Sequence, residues 1–328
     1  MSSNSIYMLY YAENETKYTN LEFWAIEFLK LKIEFYILVR DKKLYKKIRT
    51  SLTDCAIYAK STSDVESSIA NISNLEAIFY ISNHPKNIHS LALNNYKHIL
   101  LYTNNTISKV FRAYDELWAP SQFHLDNIAK SIPNITDMKT IIIGAIQVQD
   151  IISLEHKSIL YVISNLNDFL QNQLIQEGVK YAKQHSCAMQ FVIRTNKKTN
   201  NIFITNYQEQ LEKYCCSQGV DCKVFNKISD VAIADSACIV CDIDSYKDKF
   251  LINNIPIYVY KPLNKYIDEE NMTMLKSLYI FSTKNEFKEI VSKGDFKALE
   301  REKLAEYRLG KSLIVDKTFQ KQFLQKQN

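Results

Sequence analysis

Glycine is scarce in this chain, five residues in 328, and none falls in a GxGxxG or GxxxxGK[ST] arrangement. A dinucleotide fingerprint and a P-loop both need glycine at fixed offsets, because only backbone without a Cβ lets phosphate approach so closely. Both are excluded. No run reaches the roughly 18 uninterrupted apolar residues of a spanning helix, and the first residues lack a basic stretch followed by an apolar signal core. A cytoplasmic protein is the expectation. A large excess of one charge is also missing: the net charge is +5, which demands no nucleic-acid partner yet tolerates a nucleotide ligand or an anionic membrane surface. The seven cysteines are odd in number and mostly unclustered, which suits a reducing compartment better than a disulfide framework. Cys238 and Cys241 form one CxxC, but no second CxxC or histidine pair follows, so buried free thiols are expected and structural zinc is not.

What is present is apolar residue, 46% of the chain, enough to fill two domains of ordinary size. Strand and helix patterns alternate, the mark of a doubly wound parallel sheet. In the first half, strands are predicted at Ile6 to Ala12, Phe35 to Val39, Cys55 to Ala59, Leu75 to Ser82, His98 to Tyr102 and from Thr140 to Gly144. Leu21, Trp24, Ala25, Phe28, Leu29 and Leu31 recur at helical spacing. Ser63 and Glu66 have capping-box spacing, and Ser121 suits a helix cap. In the second half, strands are predicted at Ile159 to Ser164, Gln190 to Arg194, Lys223 to Phe225, Val231 to Ala234, Ile255 to Tyr260 and Leu278 to Ser282.

The stretch Ser229 to Tyr260 carries the most chemistry. The apolar run Val231 to Ala234 reads as a buried strand, and Asp235 and Ser236 follow it into a helix. Backbone N–H groups at a helix start favour phosphate, although Asp235 as a plain helix cap accounts for the pattern too. After the strand Leu75 to Ser82 comes the polar loop Asn83, His84, Pro85, Lys86, Asn87, then His89. A loop at a strand's carboxyl end is where substrate is met, though Asn83 and Asn87 also suit a turn and a cap, and His89 a helix surface. The segment DKKLYKKIR places Lys42, Lys43, Lys46, Lys47 and Arg49 around Leu44, Tyr45 and Ile48. A solvated helix face explains it; contact with anionic lipid is the alternative.

Several short motifs, in order, resemble the CDP-glycerol glycerophosphotransferase family, which builds teichoic-acid-like and capsular polyol-phosphate polymers. Asp230, Ile233, Asp235 and Asp242, followed by Ile255, Pro256 and Ile257, resemble its A-D-x-L-I-[ST]-D-x-S-S-x-x-x-D and K-P-[IF] segments, with Ala237 and Cys238 in place of the paired serines. Asn83 to His89 resembles a loop carrying K-N-x-H. Arg112 to Glu116 resembles R-x-Y-D-x, Trp118 to Gln122 resembles F-V-A-G-Q, and Arg301, Tyr307, Leu309 and Gly310 resemble R-x(5)-Y-x-L-G. Where the family carries catalytic histidines, this chain has Thr103 and Asn196, the latter after Arg194 and before Lys197 and Lys198.

The resemblance implies two facing Rossmann-like domains of the GT-B glycosyltransferase type: residues 1–151 on the acceptor side, 152–310 on the nucleotide-donor side, and a terminal helix over 311–328 packing back on the first. It implies transfer of a polyol phosphate from a cytidine nucleotide to a lipid-linked or polymer acceptor. Arg194, Asp235, Ser236 and Asp242 would hold donor phosphates, and Asn83, Lys86 and Asn87 would form the acceptor-side loop. No metal or other cofactor is expected, the CDP-linked donor being a substrate. Neither threonine nor asparagine can accept a proton near neutral pH. A base would have to come from His84, His89 or Asp115, or the protein would bind nucleotide or partners without turnover. A third reading retools the site for another donor, with Cys238 and Cys241 lining the pocket.

Overall fold

In the computed structural model, which describes residues 5–13, 18–52, 54–102, 107–144, 158–164, 169–194 and 201–310, strand and helix alternate as the sequence pattern predicts. The chain divides into two units, Met1–Ile146 with Tyr307–Asn328, and Gln147–Glu306. The domain boundary expected at 151/152, the terminal helix at 311–328, Thr103, and Asn196 to Lys198 lie outside the described residues.

Unit 1 runs β1 (Ile6–Tyr11), α1 (Tyr18–Lys30), β2 (Phe35–Val39), α2 (Lys42–Ser51), β3 (Ala56–Tyr58), α3 (Thr62–Ala70), β4 (Leu75–Tyr80), α4 (Ile88–Leu91), β5 (Lys97–Leu101), β6 (Glu116–Ala119), α5 (Gln122–Ser131) and β7 (Lys139–Ile142). Its seven described strands are ordered β3-β2-β1-β4-β5-β6-β7, every pair parallel. Alternation in β1 divides its side chains between two cores. Tyr7, Leu9 and Tyr11 pack under α1 and α2 with Leu21, Trp24, Phe28, Leu44 and Ile48. Met8 and Tyr10 pack with Val65, Ile69, Tyr80, Tyr114 and Ile128 on the other face. Strands covered on both faces read as continuous apolar runs, which is why IYMLYY shows no polar alternation.

Unit 2 runs β8 (Ser158–Ile163), α6 (Phe169–Gln184), β9 (Ala188–Ile193), α7 (Asn201–Gln218), β10 (Cys222–Phe225), α8 (Asp230–Ala234), β11 (Ser236–Asp242), β12 (Ile257–Tyr260), α9 (Glu269–Leu275), β13 (Tyr279–Phe281), α10 (Lys284–Ser292) and α11 (Ala298–Leu309). The strand order is β10-β9-β8-β11-β12-β13, again all parallel. Each sheet therefore reverses its strand order once, between β1 and β4 and between β8 and β11. Open parallel sheets place ligands outside the carboxyl ends of the strands at that reversal.

Several elements depart from the sequence reading. Val231 to Ala234 belongs to a short helix, not a strand. Ser229 caps it by accepting from the Ala232 N–H at 3.1 Å. The strand is the next apolar run, Ser236 to Asp242, where a helix start was predicted. An apolar run this short is equally a strand or a buried helical turn by period alone. The capping box of α3 is Ser61 with Asp64, not Ser63 with Glu66. The strand β6 was hidden because its first residue is a carboxylate. Glu116 is buried, yet Lys97 and Lys139 each approach it to 2.6 Å and the Trp118 Nε1–H donates to it at 2.9 Å.

Two polar clusters lock unit 2. Arg301 is fully buried and forms a bidentate pair with Asp295 at 2.8 and 2.5 Å while donating to the Asn254 carbonyl at 3.0 Å. Asp295 also accepts from the Tyr279 hydroxyl at 2.7 Å. On the other cluster, Glu177 of α6 gathers Lys180 of its own helix and Lys284 and Lys288 of α10 at 3.2, 3.0 and 3.2 Å. Burial works to raise the Glu177 carboxyl, but hydrogen bonds from Lys284, Lys180 and Lys288 overcome it and hold the group at about 2, below its ordinary 4.5.

Replacing Arg301 with Met should destabilise unit 2 by about 3 kcal/mol, because it strands a carboxylate whose partner was buried; urea unfolding of both proteins measures the difference. A depressed carboxyl pKa contributes stability that is complete above 4.5 and is lost as pH falls toward about 2. Glu177→Gln should accordingly flatten the acid limb of the stability-versus-pH curve over that interval, as followed by thermal melting.

Candidate functional site

The carboxyl edge of the unit 2 sheet is set by where β8, β9, β10 and β11 end, at Ile163, Ile193, Phe225 and Asp242. The residues just beyond those ends converge. At the strand-order reversal, the Asp242 carboxylate accepts from the hydroxyl of Ser164, from the Ser245 N–H at 2.9 Å and from the Ser245 hydroxyl at 3.0 Å. Asp242 is 7% exposed. Its oxygens are engaged, so it braces the turn after β11 and leaves ligand contact to its neighbours.

One of those neighbours is Arg194, directly after β9. Its backbone N–H continues the ladder to the Ile163 carbonyl at 2.8 Å, and one guanidinium nitrogen donates to the Asp244 carbonyl at 2.9 Å. The Asp244 carboxylate is held by Lys265 at 2.8 Å through both oxygens. Arg194 then lines a cavity of about 610 Å³ with Val192, Asn226, Lys227, Ile228, Lys247 and Lys249. Among the described lining residues, four of seven are cationic and none is acidic. A low wall of Val192 and Ile228 with converging cations suits an ester of phosphate or diphosphate carrying an organic group.

The predicted donor residues therefore separate. Arg194 and Asp242 sit at the carboxyl edge. Asp235 and Ser236 do not: they open β11, at the opposite, amino edge. There Asp235 accepts from the Gln190 amide at 2.7 Å, its carbonyl accepts from the Ser158 hydroxyl at 3.1 Å, and the Ser236 hydroxyl donates to the Ala232 carbonyl at 2.6 Å. No helix starts after Ser236, so the anion-binding role expected of this pair is corrected to a clasp under the sheet. Lys247 and Lys249 were missed for the same reason: with β11 placed one element early, the loop after Asp242 was not read as site-facing; Lys227, two residues past the end of β10, was missed although its strand was framed correctly.

Cys238 and Cys241 are three apart on one strand, so they point to opposite faces. Both are buried, and burial pushes the Cys238 thiol up to about 12 and the Cys241 thiol well above its ordinary value. They are core thiols and do not line this cavity. Among the described residues, no three His, Cys, Asp or Glu side chains converge where a metal could sit.

In unit 1 the carboxyl edge holds the loop after β4. Asn87 is buried; its amide donates to the Ser82 carbonyl at 2.7 Å and to the Tyr114 hydroxyl at 3.0 Å, and Tyr114 in turn donates to Asn83 at 3.1 Å. Asn83 and Asn87 are thus joined as a loop clasp at the expected place, beside the exposed Lys86. The His84 ring accepts from the Lys86 N–H at 3.2 Å and caps the turn Pro85–Asn87. His89 is exposed on α4. Asp115 is at the wrong end: it precedes β6 and accepts from the His98 N–H at 2.7 Å, at the amino edge. It is not positioned to serve as the base.

A different imidazole stands at the carboxyl edge of this unit. His124 lies in the first turn of α5, right after β6, with Nδ1 2.7 Å from the Ser121 hydroxyl. That hydroxyl donates its one hydrogen to the Arg308 carbonyl at 2.8 Å. Nδ1 must therefore be the protonated nitrogen, which leaves Nε2 with its lone pair. Burial, with Arg308 beside it, holds the His124 pKa below its ordinary value, so the ring is neutral at pH 7. Ser121, read from the sequence as a helix cap, makes no capping hydrogen bond and orients this ring instead. Histidine beside a serine three residues earlier is weak as a sequence signal; only the partner at Arg308 gives it meaning.

No protein-family model matches the chain, and no curated protein matches it in sequence. Solved structures match over nearly its whole length. UGT2 of Phytolacca americana, in its apo form, is 9% identical with a TM-score of 0.56 over 98% of this chain and 99% of that one. HepE of Anabaena, in complex with UDP, is 10% identical with a TM-score of 0.51 over 98% and 99%. A UDP-N-acetylglucosamine 2-epimerase is 8% identical with a TM-score of 0.52 over 94% and 92%. At such identities the likeness is one of fold, and an epimerase among the matches shows that this fold does not select one reaction. The chain has two parallel-sheet α/β units and the fold of the GT-B glycosyltransferases.

Proposed function

We propose that this protein transfers a group from a nucleotide-linked donor, and that unit 2 holds the donor's phosphates. The observation that carries the reading is the cavity at the carboxyl edge beside the β8/β11 reversal, where Arg194, Lys227, Lys247 and Lys249 converge with no acid among the described lining residues. A diphosphate is the ligand class such a constellation favours. The fold likeness to HepE, whose structure contains UDP, adds support for a nucleoside diphosphate. The motif resemblance narrows the donor further, to a cytidine nucleotide carrying a polyol such as glycerol phosphate, with a hydroxyl of a polymer or lipid-linked molecule as acceptor.

Within unit 1, His124 is the group suited to accept a proton. Its Nε2 is the unprotonated nitrogen, and Ser121 fixes the ring from the other side. The chain carries Thr103 and Asn196 where the resembled family has histidines, so a base from another element is what turnover requires. A protein that binds the nucleotide without turnover is the second reading, favoured by those same two substitutions.

Thermal-shift titration with CMP, CDP-glycerol, CDP-ribitol and UDP-sugars tests both readings. A bound nucleotide at 100 times its dissociation constant should stabilise the protein by about 2.7 kcal/mol, and Arg194→Ala with Lys247→Ala should raise that dissociation constant at least about tenfold. His124→Gln should leave the nucleotide shift in place and cut product formation by about 10² to 10⁴. A nucleotide shift with no product from the unaltered protein selects the non-turnover reading. No shift with any nucleotide overturns the donor site.

A further inference from the structure

One feature of unit 1 is not used by the donor cavity or by His124. Helix α2 carries Lys42, Lys43, Lys46, Lys47 and Arg49, all exposed, and no acidic residue. Its inner side is fixed: Leu44 and Ile48 are buried in the core, and Asp41 caps the helix by accepting from the Leu44 N–H at 2.8 Å. The cations therefore cannot turn inward. Lys42 and Lys46, Lys43 and Lys47, and Lys46 and Arg49 are like-charged neighbours at helical spacing, and such pairs destabilise a helix.

Elsewhere the protein does the reverse. Helices α6 and α7 carry Lys180 with Glu177 and Lys213 with Glu209, and Glu289 of α10 pairs with Lys293 at that helix's C-cap, as opposite-charge pairs at the same spacings. The outer faces of α7 and α10 mix the two signs in this way; that of α2 carries one sign only.

The same face of the sheet carries α1, whose Leu21, Trp24, Ala25 and Phe28 share the core cluster of Leu44 and Ile48. Its outer side presents two large aliphatic side chains, Ile26 at 45% and Leu29 at 48% exposure. They stand three residues apart and so lie together on the helix. Because α1 joins β1 to β2 and α2 joins β2 to β3, the apolar pair and the cations belong to neighbouring helices of one layer. The two acids on α1 do not cancel the charge: Glu27 is buried and paired with Lys30 at 2.8 Å, and Glu22 alone is exposed.

We infer that the outer face of α1 and α2 docks on an anionic lipid bilayer, with the cations of α2 at the headgroup level and Ile26 and Leu29 entering the interface. A surface that is both strongly cationic and locally apolar fits a partner that offers fixed negative charge and a hydrocarbon boundary together. A bare polyanion such as nucleic acid would use the lysines and gain nothing from the aliphatic pair. No described helix is long and apolar enough to cross a membrane, so this attachment is peripheral. It stands apart from the donor reading and survives if no nucleotide binds.

Flotation of the full chain with vesicles tests it, using phosphatidylcholine alone or mixed with phosphatidylglycerol at physiological ionic strength. The protein should float with the mixed vesicles and stay behind with the neutral ones. Lys42→Gln with Lys46→Gln should lower the partition coefficient at least about tenfold, and Ile26→Ser with Leu29→Ser should lower it as well. All four side chains are exposed, so melting temperatures should hold; Lys43→Gln with Arg49→Gln replaces the lysine pair if that variant melts early. Absence of flotation on mixed vesicles, equal flotation on neutral ones, or unchanged partitioning of either double variant overturns the proposal. Loss with the lysine pair but not with the aliphatic pair would identify a general polyanion surface instead.

Discussion

Burial of both faces of both sheets is the constraint on which everything else depends. Helices cover each side of β1 and of the strands next to it, so the middle of each strand has no room for a polar group that lacks a partner. Chemistry is driven to the strand ends. The two ends are used differently in this protein. The amino edges carry clasps, such as Glu116 with Lys97 and Lys139, and Asp235 with Gln190 and Ser158. The carboxyl edges carry the cationic cavity of unit 2 and the His124 ring of unit 1.

This division explains what was legible in the sequence. The parallel alternation was readable because IYMLYY, FYILV and SILYVI are apolar on both faces, and β2 falls on the predicted residues, Phe35 to Val39. What could not be read was the frame of one short segment. SDVAIADSACIVCD contains two apolar runs, and neither period nor length separates a capped five-residue helix from a strand. Choosing the first run as the strand moved the presumed carboxyl edge from Asp242 back to Ala234. Asp235 and Ser236 then looked like ligand residues, and Lys247 and Lys249 looked like an unremarked loop. Arg194 escaped the error because its own strand, ending at Ile193, was framed correctly.

His124 was illegible for another reason. Its orientation comes from a carbonyl at Arg308, which no local pattern connects to Ser121. The motif Arg301 to Gly310 was recognisable as letters but not as physics. Its parts anchor differently: Arg301 is locked to Asp295 within unit 2, whereas Tyr307, Arg308 and Gly310 belong with unit 1. There the Tyr307 hydroxyl donates to Asp126 at 2.8 Å, and the Arg308 guanidinium lies 3.8 Å from the centre of the Phe123 ring.

Gly310 has φ +80, and a Cβ built on it would come 2.2 Å from the Pro120 carbonyl oxygen. The strand-to-helix corner at Pro120 and Ser121 is thus in backbone contact with the point where α11 ends. The hydrogen that decides which nitrogen of His124 is basic is held by that same stretch of backbone, 187 positions away in the chain. Lifting the last turn of α11 by an ångström would free the Ser121 hydroxyl to rotate and donate to the ring. The imidazole would then exchange tautomers and lose the lone pair on Nε2, with no side chain of the ring's own helix having moved.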